Sequence, residues 1–136
     1  MWSGPRNIST ALMRSFENRS DTKVCDEPFY SYYLKNTNLD HPMKDEIIDT
    51  YPFNEKEIIN LITKNDNNYK IFYQKHMTHH ILDETNLEWI NQGINCFLIR
   101  DPAKVIVSYI KKNSLKSIKD IGFEKLYQIY KLLDSK

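Results

Sequence analysis

The chain has 136 residues with 19 Lys and Arg against 18 Asp and Glu, a formal net charge of +1, so no global field argues for nucleic acid or a membrane surface and any anion site must be local. That length is one domain or part of one, long enough to bury a core. No apolar run approaches a membrane span and no signal peptide is legible, which with two widely spaced cysteines, Cys25 and Cys96, predicts buried thiols in a cytoplasmic protein.

In chain order, Met1 and Trp2 lead into a polar turn, Ser3 to Asn7, in which Gly4 and Pro5 stop any strand. Ile8, Leu12 and Phe16 then fall at i, i+4, i+8 and predict a helix that buries that face. The turn thus sits at a helix N-terminus, where unpaired N–H groups and a partial positive charge meet the hydroxyls of Ser3, Ser9 and Thr10 and the guanidinium of Arg6. This is an anion site in outline, with an ordinary Ser/Thr helix cap as the simpler alternative. Lys outnumbers Arg fifteen to four, so Arg6 here, and Arg100 after a later apolar run, stand out as bidentate phosphate ligands.

Thr22 to Cys25 read as a short strand, and Pro28 places Glu27 at its C-terminal end. Phe29 to Lys35 read as helical and carry Tyr30, Tyr32 and Tyr33, tyrosines suited to core and rim. Residues 36–42 form a loop, Lys44 to Tyr51 a short helix, and Asn54 to Thr63 a clearer helix with Asn54 as N-cap. Tyr69 to Lys75 alternate as a strand, with Lys75 and His76 at its exit. Glu84 to Gln92 predict a helix closed by Gly93, and Ile94 to Ile99 a strand buried on both faces. Asp101 caps a helix that opens on Pro102 and buries Val105, Ile106, Tyr109 and Ile110, and Ile121 to Leu133 form the last helix.

Strands separated by helical stretches imply an α/β domain with a parallel sheet covered on both faces, and ligands then bind where strands end and helices begin. The opening turn, Glu27, Lys75 with His76, and Arg100 would line one such edge. Glu27 could simply cap the helix that opens at Phe29. His76, His79 and His80 have i, i+3, i+4 spacing, which suits a metal only on a helix; without an accompanying Glu or Cys they read as structural or surface histidines.

The segment Pro5-Arg6-Asn7-Ile8-Ser9-Thr10-Ala11-Leu12 resembles the phosphosulfate-binding loop of sulfotransferases. Arg100-Asp101-Pro102 with Ser108, eight residues past the arginine, resembles that family's second signature, so the likeness covers roughly residues 2–112. The opening turn together with Asp26-Glu27-Pro28-Phe29-Tyr30 is similar to a bacterial sulfotransferase-like branch. The resemblance implies a P-loop NTPase-like, three-layer α/β/α domain around a central parallel sheet, spanning residues 1–136 and incomplete at both ends. It implies metal-free transfer of a sulfuryl group from 3′-phosphoadenosine 5′-phosphosulfate to a hydroxyl or amine of a small-molecule acceptor.

By position the resemblance assigns the 5′-phosphosulfate to Arg6, Ser9 and Thr10, with the backbone N–H groups of Asn7, Ile8 and Ala11 closing the cradle, and the 3′-phosphate to Arg100 and Ser108. Glu27 or His76 would be the base, and Lys75 would stabilise the bridging oxygen. Asn7 and Ile8 replace the family's Ser-Gly, so a branched side chain stands where glycine gives φ freedom. A P-loop phosphotransferase and a non-catalytic nucleotide-binding module remain as alternatives, and the acceptor and oligomeric state are left open.

Overall fold

The structure, a computed structural model, describes residues 1–37 and 39–134. Four strands, β1 (Trp2–Ser3), β2 (Thr22–Asp26), β3 (Ile71–Met77) and β4 (Phe97–Leu98), form one sheet in the order β2-β3-β1-β4. Every pairing is parallel, with Thr22 to Asp26 facing Ile71 to Lys75, Trp2 facing both His76 and Phe97, and Ser3 facing Met77 and Leu98. The helices are α1 (Ser9–Glu17), α2 (Tyr30–Asn36), α3 (Lys44–Thr50), α4 (Glu55–Thr63), α5 (Pro102–Ile110) and α6 (Phe123–Asp134).

Strand periodicity of two assigns the faces. Trp2, His76 and Phe97 share a register row and one face, and there the main core gathers: Trp2, Phe29, Tyr32, Ile58, Ile62, Trp89, Leu126 and Ile129, brought by α2, α4 and α6. On the other face α1 lies over β2 and β3, with Phe16 stacked on Tyr73 at 4.3 Å between ring centroids. The sheet is therefore flanked by helices on both sides, as the alternation of elements predicts. β1 has only two residues but sits in the middle. Trp2 is 1% exposed and its Nε1 donates to Asn95 Oδ1 at 2.8 Å, which satisfies the one polar atom of that ring.

Several boundaries differ from the sequence expectation, each for a local or a pairing reason. The strand expected over Tyr69 to Lys75 runs instead from Ile71 to Met77, because its start is set by Thr22 and its end by β1. Lys75 and His76 are thus inside the strand, and the true exit is Thr78–His80, a single 3-10 turn. The helix expected over Glu84 to Gln92 shrinks to a 3-10 turn, Glu88–Gln92. Asn86 Oδ1 accepts from the Glu88 N–H at 2.8 Å and gives the backbone a local alternative to the helix.

The strand expected over Ile94 to Ile99 is two residues long at a sheet edge, and Ile94 is 94% exposed, so it is not buried on both faces. The expectation of buried thiols fails with it for Cys96, which is exposed, while Cys25 is half-buried. On α1 the buried residues are Ser9 and Met13, and Ile8 and Leu12 face outward. The last helix begins at Phe123, after Gly122 at φ 68 has turned the chain. Asn54 and Asp101 are N-caps as expected, each accepting from two backbone N–H groups. Asn38, in the expected 36–42 loop, lies outside the described residues, as do Ser135 and Lys136. No helix among the described residues is long and apolar enough to cross a membrane.

Candidate functional site

The opening loop, Gly4 to Ile8, leaves the middle strand at its C-terminal end and enters α1. Its path needs Gly4, because a Cβ there would lie 2.4 Å from the Ile121 carbonyl oxygen. Thr78 Oγ1 donates at 2.9 Å to the Gly122 carbonyl, so the turn before α6 is fastened beside the loop. Arg6 and Ile8 both take positive φ, 63 and 64, with Asn7 between them. Left-handed residues in such a turn aim successive N–H groups into one concavity, a nest suited to an anion. Among the described residues no side chain caps α1, so no cap competes with an anion there, and Ser9 and Thr10 occupy its first turn. Asn7 is 3% exposed and neither atom of its amide has a hydrogen-bond partner among the described residues.

Two residues distant in sequence close on this loop. Arg6 Nε donates to Ser108 Oγ at 3.0 Å, and an Arg100 guanidinium nitrogen donates to the Arg6 carbonyl at 2.9 Å. Asp101 makes this possible by capping α5 with its carboxylate on the Ala103 and Lys104 N–H groups, which sets the helix that carries Ser108. Neither arginine has a carboxylate within ion-pair distance among the described residues. Two guanidinium groups without a counter-charge, a hydroxyl and a nest of N–H groups form a locally positive patch on a chain of near-zero net charge.

A second cluster sits at the next exits. The buried Lys75 donates to Asp26 Oδ1 at 2.7 Å and to Glu27 Oε1 at 2.5 Å. Glu27 is at φ 48, with its N–H on the Lys75 carbonyl and its own carbonyl accepting from Tyr30. Its side chain therefore serves the lysine and does not cap the helix. Past β3, His80 is 3% exposed and its Nδ1 lies 3.8 Å from Glu27 Oε2. Burial, reinforced by His79, Lys75 and His76, holds His80 neutral with a pKa well below 6.5, and burial lowers His79 to about 4. Burial also raises the Tyr30, Tyr33 and Tyr109 hydroxyls above 10.

These groups open on a cleft of about 1100 Å³ whose lining includes Pro5 of the loop, Glu27, Tyr30, Tyr33, His79 and His80. His76 is elsewhere. Its ring is in the core, stacked on Trp2 at 4.6 Å and tilted against Trp89 at 5.1 Å, with Nε2 on Gln74 Oε1 at 3.1 Å. It lines a separate cavity of about 340 Å³ at the opposite edge of the sheet. The structure thus brings together Arg6, Asn7, Ile8, Ser9, Thr10, Ala11, Arg100 and Ser108 around the loop, and Glu27 with Lys75 beside it, but not His76. It adds His79 and His80 to the cleft lining, although their spacing without an accompanying Glu or Cys reads as structural or surface histidines. Among the described residues no group of His, Cys, Asp and Glu is arranged to hold a metal ion.

The sulfotransferase domain family matches residues 1–135, nearly the whole chain. The chain belongs to that family. Its α/β fold, with a parallel sheet flanked by helices, agrees with a sulfotransferase domain. Two curated relatives from Arabidopsis thaliana are similar to it: branched-chain-amino-acid aminotransferase-like protein 1, 34% identical over 129 residues, and protein 2, 33% identical over 129 residues. Each match covers 95% of this sulfotransferase domain but 23% of the plant protein, so the chain spans about a quarter of those relatives' length. No solved structure matches the chain.

Proposed function

We propose that this sulfotransferase domain transfers a sulfuryl group from 3′-phosphoadenosine 5′-phosphosulfate to a hydroxyl or amine of a small-molecule acceptor. The nucleotide supplies the sulfuryl group, and its 5′-phosphate is the leaving group. The reading rests above all on the convergence of Arg6, Arg100 and Ser108, joined by hydrogen bonds of 2.9 and 3.0 Å, with no carboxylate among the described residues paired to either guanidinium. The buried, unpartnered amide of Asn7 and the nest around it are a second sign that an anion belongs in the loop.

In this reading Arg6, Ser9, Thr10 and the N–H groups of Asn7, Ile8 and Ala11 would hold the 5′-phosphosulfate, and Arg100 and Ser108 would hold the 3′-phosphate. Sulfuryl transfer, like phosphoryl transfer, needs mainly positioning and stabilised charge on the leaving oxygens, which arginines and a nest supply. Lys75 fixes the Glu27 carboxylate at the mouth of the aromatic cleft, where the acceptor would lie.

The test is a calorimetric titration with 3′-phosphoadenosine 5′-phosphate, beside ATP with magnesium. The 3′-phosphorylated nucleotide is expected to bind more tightly, and Arg100→Ala to weaken it by about 1.5–3 kcal/mol, or about 10- to 150-fold. Preference for ATP with magnesium, or an affinity that Arg100→Ala leaves unchanged, would overturn the proposal.

A further inference from the structure

A hydroxyl or amine that accepts a sulfuryl group must lose a proton, and the groups that could take it are set in one geometry here. Glu27 is held at both ends of its backbone, by Lys75 and Tyr30, and Lys75 occupies its Oε1 at 2.5 Å. Its remaining oxygen, Oε2, faces His80 Nδ1 at 3.8 Å. The His80 ring is locked between two tyrosines, stacked on Tyr30 at 4.8 Å with 21° between planes and on Tyr33 at 5.0 Å with 28°, and His79 meets it edge-on at 4.3 Å. Its Nδ1 is buried without a hydrogen-bond partner among the described residues, and the residue lines the same cleft as Pro5 and Glu27.

A neutral imidazole carries one N–H and one lone pair, and the partner of one nitrogen decides which is which. A carboxylate oxygen opposite Nδ1 favours the proton there and leaves the lone pair on Nε2. Apo hydrogen bonds of this kind are often long and tighten when the substrate arrives.

We infer that His80, oriented by Glu27, is the group that takes the acceptor's proton, with Glu27 and Lys75 as positioning residues. The inference rests on the sulfuryl-transfer reading above. As the acceptor oxygen or nitrogen bonds to sulfur, the bond from sulfur to the 5′-phosphate oxygen breaks and its electron pair stays on that phosphate oxygen. The acceptor's proton moves to His80 Nε2, and the imidazolium returns it to water once the product leaves. Glu27 stabilises the imidazolium. Lys75, His79 and His76, the other charged or titratable groups that act on it, oppose its charge, so the proton is held briefly.

The experiment is ¹⁵N correlation spectroscopy of the histidine rings at pH 7, with His80→Gln to assign the signals. The expected pattern is an Nδ1–H tautomer for His80 in the free chain, shifted toward Nε2–H in Glu27→Gln. An Nε2–H tautomer in the unsubstituted chain, or no response to Glu27→Gln, overturns the assignment whatever the nucleotide titration gives. A second arm follows phenol release from phenyl sulfate, whose basic phenolate needs a proton to leave, with 3′-phosphoadenosine 5′-phosphate as the sulfuryl acceptor and His80 as the donor of that proton. His80→Gln is expected to slow release about 10²- to 10⁴-fold while nucleotide affinity stays the same. Release at the unsubstituted rate overturns the role. Failure of the unsubstituted chain to bind the nucleotide instead sinks the sulfuryl-transfer reading and leaves the tautomer result standing on its own.

Discussion

At position 8 an isoleucine holds φ 64 and ψ 16 as the N-cap of α1, a left-handed conformation that glycine adopts freely and a β-branched residue does not. The strain is of order 1–2 kcal/mol, and it sits in the loop that the proposed function makes the anion cradle. Ile8 is 64% exposed, so its side chain returns little through burial. Ile8→Gly should therefore raise stability by about 0.5–1 kcal/mol, the relieved strain less the extra entropy of an unfolded glycine, read as a higher urea midpoint with unchanged slope. A lower midpoint would mean that the exposed isoleucine packs on something the fold depends on. Gly4 is a different case. Its requirement is space, not φ, since the Ile121 carbonyl occupies the place of a Cβ.

Among the elements, α5 shows how a local signal can build a distant contact. Asp101 and Pro102 start the helix where the sequence predicts, and not quite two turns later Ser108 reaches Arg6 at 3.0 Å. Removing the cap in Asp101→Ala leaves two N–H groups unpaired and should cost about 0.5–2 kcal/mol in stability. Nucleotide affinity should fall in the same variant, because Ser108 is carried by that helix. Unchanged thermal unfolding would show that α5 is held by Val105 packing alone. β3 shows the opposite relation, for its register comes from its neighbours: Thr22 pairs with Ile71 and Trp2 with His76, and this slides the strand two residues past its expected end. Because strand side chains alternate and only the exit faces the site, that shift moves His76 into the core and makes Thr78–His80 the exit.

At the scale of the whole molecule, three histidines are kept neutral by burial, and folding is linked to pH through them. His79 falls from 6.5 to about 4. The unfolded chain therefore binds the extra proton between those values, and stability rises with pH across that window. The contribution is complete above about pH 6.5 and is lost as pH falls toward 4. For His79 alone the loss between pH 7 and pH 5 is about 2 kcal/mol, and His76 and His80, lowered in the same direction, add to it. Urea unfolding at a series of pH values should show this slope, reduced in His79→Gln. A flat profile from pH 7 to pH 5 would mean that the rings are reached by water in the native state.

Features that depend on a few neighbouring residues were legible in the chain. The Asn54 and Asp101 caps, the turn at Gly4 and Pro5 and the order of strands and helices could be read from the chain, as could the rarity of arginine at Arg6 and Arg100, because capping and turn chemistry act within about four residues. The family motifs are local in the same sense, so the loop and Ser108 were legible too. Which faces are buried, and what meets across the sheet, depends on packing between distant segments. Ile8, Leu12 and Ile94 are apolar yet exposed, because burial depends on what packs above them and β4 ends the sheet. Lys75 lies buried on Asp26 and Glu27, and Glu27 meets His80, because parallel pairing aligns residues nearly fifty positions apart, a distance over which no local pattern carries information.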